Sequence, residues 1–268
     1  RDYCLDVMGW AVRTVRQRVT YVCEIYKYAK EQGWINHLPF SYEIRSFGKQ
    51  ARFLAHVDAS GGKTYVATVK PKLKKTLPKF LAISEVHTLL GAAVNPHHRM
   101  IIRLGLQTGL RREEIATFPV AYVFDPDARG RTERNIRIRL DPQDSHGMQT
   151  KGSKARDIYI SRKFLKELHL YVTHTRGLRA QLSQDKYPNL FLNQDGQPYA
   201  ASGKGIEKIV RHIGKKVEIK AWPHMLRHTY ATHTLNAMQR SRKSIEPLIF
   251  LQHQLGHSSI QTTMIYLH

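Results

Sequence analysis

Three short segments hold residues able to bind an oxyanion, move a proton and attack an electrophile. In Thr108-Gly109-Leu110-Arg111-Arg112-Glu113-Glu114-Ile115 a glycine permits a sharp entry into a helix on which Arg111 and Glu114, three apart, share a face. An ordinary surface ion pair has the same spacing. In Trp222-Pro223-His224-Met225-Leu226-Arg227-His228, proline suits a first helical turn, and His224 and Arg227 then project from one side. His224 and His228, four apart, also have the spacing of a metal pair. Met225 stands where the His-Glu-x-x-His motif needs glutamate, however, and a chain with 15 histidines contains such a pair by chance, so zinc is the weaker reading. The third segment runs from Leu255-Gly256-His257 to Tyr266; Gly256 suits a helix end and Ser258 or Ser259 can cap the next helix. Taken alone, Tyr266 is one of 13 tyrosines and reads as a packing residue.

These segments need a scaffold. With 268 residues, 41% of them hydrophobic and 24% charged, the chain has room for one or two domains with a buried core and is not a disordered polymer. Lys plus Arg total 43 against 21 Asp plus Glu, a formal net charge of +22, which points to a polyanionic partner: nucleic acid first, an acidic membrane surface second. No apolar run of about 18 residues is present, and the start lacks the order of a secretion signal, so a membrane role loses its weight. Two cysteines, Cys4 and Cys23, leave no room for a disulfide scaffold or a Cys-rich zinc fold. A cytoplasmic, nucleoid-associated protein is expected, and the opening on Arg1 suggests a missing N-terminal piece.

Apolar residues recur at helical spacing from Val12 to Lys30, with Arg13, Arg16 and Arg18 beside the stripe and Gly33 ending it. Between Phe47 and Leu77 the period is lost and Lys70, Lys72, Lys74 and Lys75 accumulate, which reads as a linker or arm. Residues 1–77 hold 14 Lys plus Arg against 6 Asp plus Glu, and the rest is basic too, so the charge is not one tail. Ser84 then Glu85 suggest a capped helix start, and Met100 to Leu106 a second helix reaching Thr108-Gly109. Ile136, Ile138 and Leu140 alternate with arginine as a half-buried strand does, and Ile158 and Ile160 suggest its partner, joined through a turn-rich stretch from Asp141 to Gly152. Phe164–Val172, Gly205–Ile213 and Leu226–Leu235 read as helices. The expected class is mainly α with a small antiparallel β-sheet.

The order of the parts is more specific than any one of them. Thr-Gly-Leu-Arg with Glu114 three later, then Lys151-Gly152-Ser153-Lys154-Ala155-Arg156 on a strand, His-x-x-Arg, and Leu-Gly-His followed nine residues on by Tyr266, resembles the tyrosine recombinase (phage integrase) family from about Leu77 to Tyr266. The resemblance implies that Arg111 and Arg227 grip a scissile phosphate, that Lys151 is the hairpin lysine, that His224 and His257 are the two histidines, that Tyr266 is the nucleophile and that Glu114 supports the first arginine. No family position is substituted, which favours an active enzyme. It also implies the integrase catalytic fold over residues 78–268, a basic linker over 61–77, and a shortened helical core-binding domain (SAM-like) over 1–60.

Elementary chemistry agrees with those roles. Attack on a phosphodiester builds negative charge on its non-bridging oxygens, and the planar guanidinium fork matches those oxygens better than an ammonium. A phenol, with a pKa near 10, needs a base such as His224 to take its proton. Covalent capture splits one exchange into two steps and conserves the bond for rejoining. Lys151 would protonate the departing 5′-hydroxyl. No metal or other cofactor is required, because the arginines carry the charge. The partner is double-stranded DNA, with Arg13, Arg16, Lys70, Lys72, Lys74, Lys75, Arg137 and Arg139 as candidate phosphate contacts that set register without reading sequence.

The expectation is a site-specific recombinase of a mobile genetic element or chromosome; the resemblance implies that it acts as a tetramer on two recombination sites, its domains forming a C-shaped clamp. The alternatives are a type IB topoisomerase-like relaxase and a non-catalytic DNA-binding regulator. Only Leu267 and His268 follow Tyr266, where the family usually continues into a segment that docks on a neighbour, so weak self-association without DNA is expected.

Overall fold

The computed structural model describes residues 1–46, 63–73, 77–241 and 246–267. Two compact units divide the chain, Arg1–Thr76 and Leu77–His268. The first holds helix α1 (Val12–Glu31) and an antiparallel hairpin of β1 (Tyr42–Ser46) and β2 (Lys63–Ala67), registered from Tyr42 opposite Ala67 to Ser46 opposite Lys63. The stretch read as a linker therefore contains a strand, β2. Of the apolar stripe on α1, Val15 is buried while Val22 and Ile25 are exposed.

The second unit is mostly helical. Helix α2 (Ile83–Ala92) begins one residue ahead of the expected cap: the Glu85 carboxylate accepts from the Ala82 N–H at 2.7 Å, and Ser84 lies inside the first turn. Helix α3 (Pro96–Thr108) starts with Pro96 at its first position and the Asn95 side chain accepting from the His97 N–H, and ends at Gly109 in the left-handed region, φ 67°. A Cβ at Gly109 would lie 2.6 Å from Tyr230, so both conformation and space require glycine. After the short helix α4 (Arg112–Ala116) come β3 (Asn135–Leu140) and β4 (Arg156–Ser161), paired antiparallel with Ile136 opposite Ile160 and Ile138 opposite Ile158. Helix α5 (Arg162–Tyr171), capped by Ser161, passes through a wide turn into α6 (Gly177–Ala180). Helices α7 (Lys204–Lys216), α8 (Pro223–Arg240), α9 (Pro247–Leu255) and α10 (Ile260–Thr263) follow, and a 3-10 turn, Met264–Tyr266, closes the described chain.

The inner face of β3 and β4 packs with Ile101, Leu104, Phe118, Phe164 and Leu168 into the main core. Leu89, Ile102, Val210, Ile213 and Leu226 form a second core between α2, α3, α7 and α8. A third gathers Ala231, Leu235, Leu251 and Leu255 around the Tyr266 ring. No described helix is long and apolar enough to cross a membrane.

His97 is fully buried, with Nδ1 2.7 Å from the Tyr171 hydroxyl and Nε2 2.9 Å from that of Tyr199. Burial above all, then Arg179, pulls its pKa down to about 3. The unfolded chain takes up this proton near pH 6.5 while the folded chain refuses it. Stability is therefore complete above that pH and falls as pH drops toward 3, by up to about 1.4 kcal/mol per pH unit from this one group. Urea unfolding between pH 7 and pH 4 should show a slope at least that steep, and His97→Gln should remove this group's share of it.

Candidate active site

The glycine that ends α3 turns the chain so that Arg111, in extended conformation, precedes α4. Its N–H donates to Glu114 Oε2 at 2.8 Å, its Nη1 to Glu114 Oε1 at 3.0 Å, and its Nη2 to the Gly256 carbonyl at 3.3 Å. From the first residue of β4, Arg156 reaches the same carboxylate with both Nη atoms at 2.7 Å. Glu114 is 1% exposed. Burial, the largest influence, would raise its pKa, but the hydrogen bonds and charge of Arg156 and then of Arg111 hold it below the usual carboxylate range. Gly256, φ 64°, leaves room for Arg156, whose Cδ would lie 2.8 Å from a Cβ there. Arg156 ends the Lys-Gly-x-Lys-x-Arg run, yet its type alone gave it no role.

Arg227 sits on the first turns of α8 and is 1% exposed. Nη1 donates to the Gly109 carbonyl and Nη2 to the Leu255 carbonyl, each at 2.7 Å. These carbonyls lie at the C-terminal ends of α3 and α9, where the helices leave acceptors free and carry partial negative charge. Burial, then Arg111, lowers its pKa to about 9, which still leaves it charged at neutral pH. Arg111 and Arg156 thus pair with the one carboxylate of Glu114, and Arg227 lies within its electrostatic reach. Within that group positive charge is in excess, which suits an anionic ligand.

Tyr266 is 2% exposed, and the expected packing role is real for its ring. Its hydroxyl has another place: Oη lies 2.8 Å from His228 Nδ1. The imidazole at the phenol is therefore His228, which sequence spacing treated only as half of a metal pair, and not His224. His224 is exposed and meets His228 edge-on, ring centroids 4.3 Å apart. His257 stacks on Tyr266 at 6.3 Å and 10°, with Nδ1 2.9 Å from Thr263 Oγ1. Burial raises the phenol pKa, opposed by the charges of Arg227 and Arg111. Burial leads in lowering two of these imidazoles, His228 to about 4 with His224 and Arg227 helping, and His257 to about 3 with Arg227 and Arg111 helping. Those two imidazoles are accordingly neutral at pH 7. Arg111, Trp222, Pro223 and His224 line a cleft of about 300 Å³ at this place.

Lys151 stands apart from the cluster. It begins a tight turn, Lys151–Ser153, in which Gly152 has φ 72°, and β4 starts only at Arg156, so Lys151 is not on the strand. Its side chain is exposed, and among the described residues no hydrogen bond or ion pair joins it to the cluster. Of the candidate phosphate contacts, Arg13 and Lys72 are exposed and Lys70 is half-buried. Arg16 donates to the Pro71 carbonyl at 2.6 Å. Arg137 and Arg139 are exposed on β3, each 3.7 Å from Asp157. Lys74 and Lys75 lie outside the described residues.

The profile of the Phage integrase family matches residues 79–268. The chain is similar to tyrosine recombinase XerC of Bacillus licheniformis, 28% identical over 232 residues that make up 84% of this chain and 67% of that protein. It is 32% identical over 203 residues to tyrosine recombinase XerA of Pyrococcus furiosus, covering 73% of this chain and 59% of that protein. Among solved structures, XerA recombinase aligns at 27% identity with a TM-score of 0.53 over 73% of this chain, and the chain spans 62% of that one. The Tn1549 transposon integrase in complex with transposon right end DNA shares the fold at 20% identity, with a TM-score of 0.61 over 98% of this chain and 77% of that one.

Proposed function

The chain belongs to the phage integrase family of tyrosine recombinases, and we propose that it cleaves and rejoins duplex DNA through a 3′-phosphotyrosyl intermediate on Tyr266. The observation that carries this reading is the meeting of the Tyr266 hydroxyl with an imidazole inside the field of Arg111 and Arg227, three parts of the chain far apart in sequence. A scissile phosphate seated at Arg111 and Arg227 supplies the anion their cluster lacks. Charge that grows on its non-bridging oxygens during attack meets guanidiniums already fixed by Glu114 and by two helix-end carbonyls. If His257 accepts from Thr263 at Nδ1, its Nε2–H is left to donate to the same phosphate. As Tyr266 Oη bonds to phosphorus, the bond to the 5′-oxygen breaks, and Lys151, carried in by its turn, gives that oxygen a proton. A 5′-hydroxyl from a second duplex reverses the step, so strand exchange needs two sites, and a tetramer on two sites is the assembly we propose. Arg13 and Lys72 of the first unit would add phosphate contacts, as a core-binding domain does. Such an enzyme works where the DNA is, in the cytoplasm.

The test begins with nicked duplexes of randomised sequence, from which the covalently captured fraction is amplified. Protein should be joined to a 3′-phosphate with a free 5′-hydroxyl released, and a plasmid carrying two copies of the captured site should recombine. A 5′-linked adduct, or equal relaxation of plasmid lacking the site, would contradict the reading.

A further inference from the structure

We propose that His228 is the catalytic base, taking the phenolic proton of Tyr266 on Nδ1; this rests on Tyr266 being the nucleophile. The direction of their hydrogen bond follows from satisfaction of polar groups. The Tyr266 hydroxyl is buried, and a buried O–H without an acceptor is costly. His228 Nδ1, at 2.8 Å, is its one hydrogen-bond partner among the described residues. The phenol therefore donates, Nδ1 offers its lone pair, and the imidazole proton resides on Nε2.

His224, Arg227 and His228 occupy spacings of three and four on α8, so they share one side of a rigid element. The base is thereby fixed to the helix that holds the phosphate-binding guanidinium, and the distance between proton acceptor and phosphorus is set by backbone geometry. His224 does not compete for the proton: it is exposed and touches His228 edge-on, with no described hydrogen bond to Tyr266.

In the step, the Oη–P bond forms, the bond from phosphorus to the 5′-oxygen breaks, and the phenolic proton passes to Nδ1 while the 5′-oxygen receives one from the general acid. The groups facing His228 are His224 and Arg227 on its own helix, and Tyr266 and His257 from the end of the chain. In the free protein burial, then His224 and Arg227, disfavour an imidazolium. A phosphodiester seated at Arg111 and Arg227 brings the negative charge that favours one, so the base strengthens when the substrate is in place. On the return path the imidazolium gives the proton back to the departing phenolate.

Two measurements on the full chain test this. Nitrogen-15 NMR of the histidines should show His228 as the Nε2–H tautomer with Nδ1 accepting, and Tyr266→Phe should shift that Nδ1 signal; an Nδ1–H tautomer overturns the proposal. Single-turnover adduct formation on the captured nicked duplex then separates basicity from positioning. His228→Asn keeps an acceptor near the Nδ1 position but cannot hold a proton. It should slow adduct formation at saturating DNA by about 10²- to 10³-fold with unchanged DNA affinity. It should also replace the wild-type plateau of rate against pH with a rise continuing into the range of phenol ionisation. A wild-type rate and profile in His228→Asn, with Tyr266→Phe inactive, overturns the role of His228 and leaves the nucleophile standing. An adduct in Tyr266→Phe overturns both.

Discussion

Tyr266→Phe abolishes the protein–DNA adduct and leaves DNA binding intact: the expected loss is on the order of 10⁶-fold, the scale on which deleting a covalent nucleophile acts. The reason for expecting a clean result lies in the packing. The ring fills the third core with Leu251 and Leu255, and phenylalanine keeps that contact. Only the hydroxyl is lost, leaving His228 Nδ1 without its donor, for a destabilisation of no more than about 1–3 kcal/mol. Arg111, Arg156, Arg227 and Glu114 do not bond to the phenol, so the anion site persists. Gel shifts with the captured duplex should superimpose for the two proteins, whereas denaturing gels should show adduct for the wild type alone.

Glu114→Gln should be the most damaging single change to the fold of the site. The carboxylate is 1% exposed and accepts from the Arg111 N–H, from Arg111 Nη1 and from both Nη atoms of Arg156. Glutamine removes the charge and turns one oxygen into a donor facing guanidinium N–H groups. Breaking a buried ion pair on one side costs about 3–5 kcal/mol, chiefly because the partner charge is left uncompensated. Unfolding in urea should shift by that amount, and adduct formation should fall with it because Arg111 loses its orientation. The pH dependence has the opposite lever from that of His97 but the same direction. The folded carboxyl is held below its unfolded value, so its contribution is complete above about pH 4.5 and disappears as pH falls through the folded pKa. In Glu114→Gln that part of the acid sensitivity should vanish.

What the sequence reveals and what it conceals divide along range. Local periodicity gives α1, α3 and the β3–β4 pair, and Gly109 and Gly256 mark helix ends because their backbone requires positive φ. The ordered motifs point to Arg111, Glu114, Lys151, His224, Arg227, His257 and Tyr266; the structure brings five of these together around the Tyr266 hydroxyl and the Glu114 carboxylate, with His224 at the opening and Lys151 apart. Partnerships across distance are not legible. Arg156 lies 42 residues from Glu114, and nothing in its own segment says that it neutralises a buried carboxylate. Two imidazoles four apart on α8 are equivalent as text, and only the path of the last turn puts His228 rather than His224 on a phenol 38 residues away. The β1–β2 hairpin is missed because each strand has only five residues, too short a run for alternation to stand out. The start of α2 is missed because a glutamate caps it from within, at an alanine.

One phenolic oxygen takes the phosphate, and the position of the protein–DNA bond shows which. Captured adduct, digested with nuclease and protease and sequenced by tandem mass spectrometry, should yield a nucleotide joined through its 3′-phosphate to the peptide containing Tyr266. A nucleotide on any other side chain, or one joined through a 5′-phosphate, would remove Tyr266 from its role as the nucleophile.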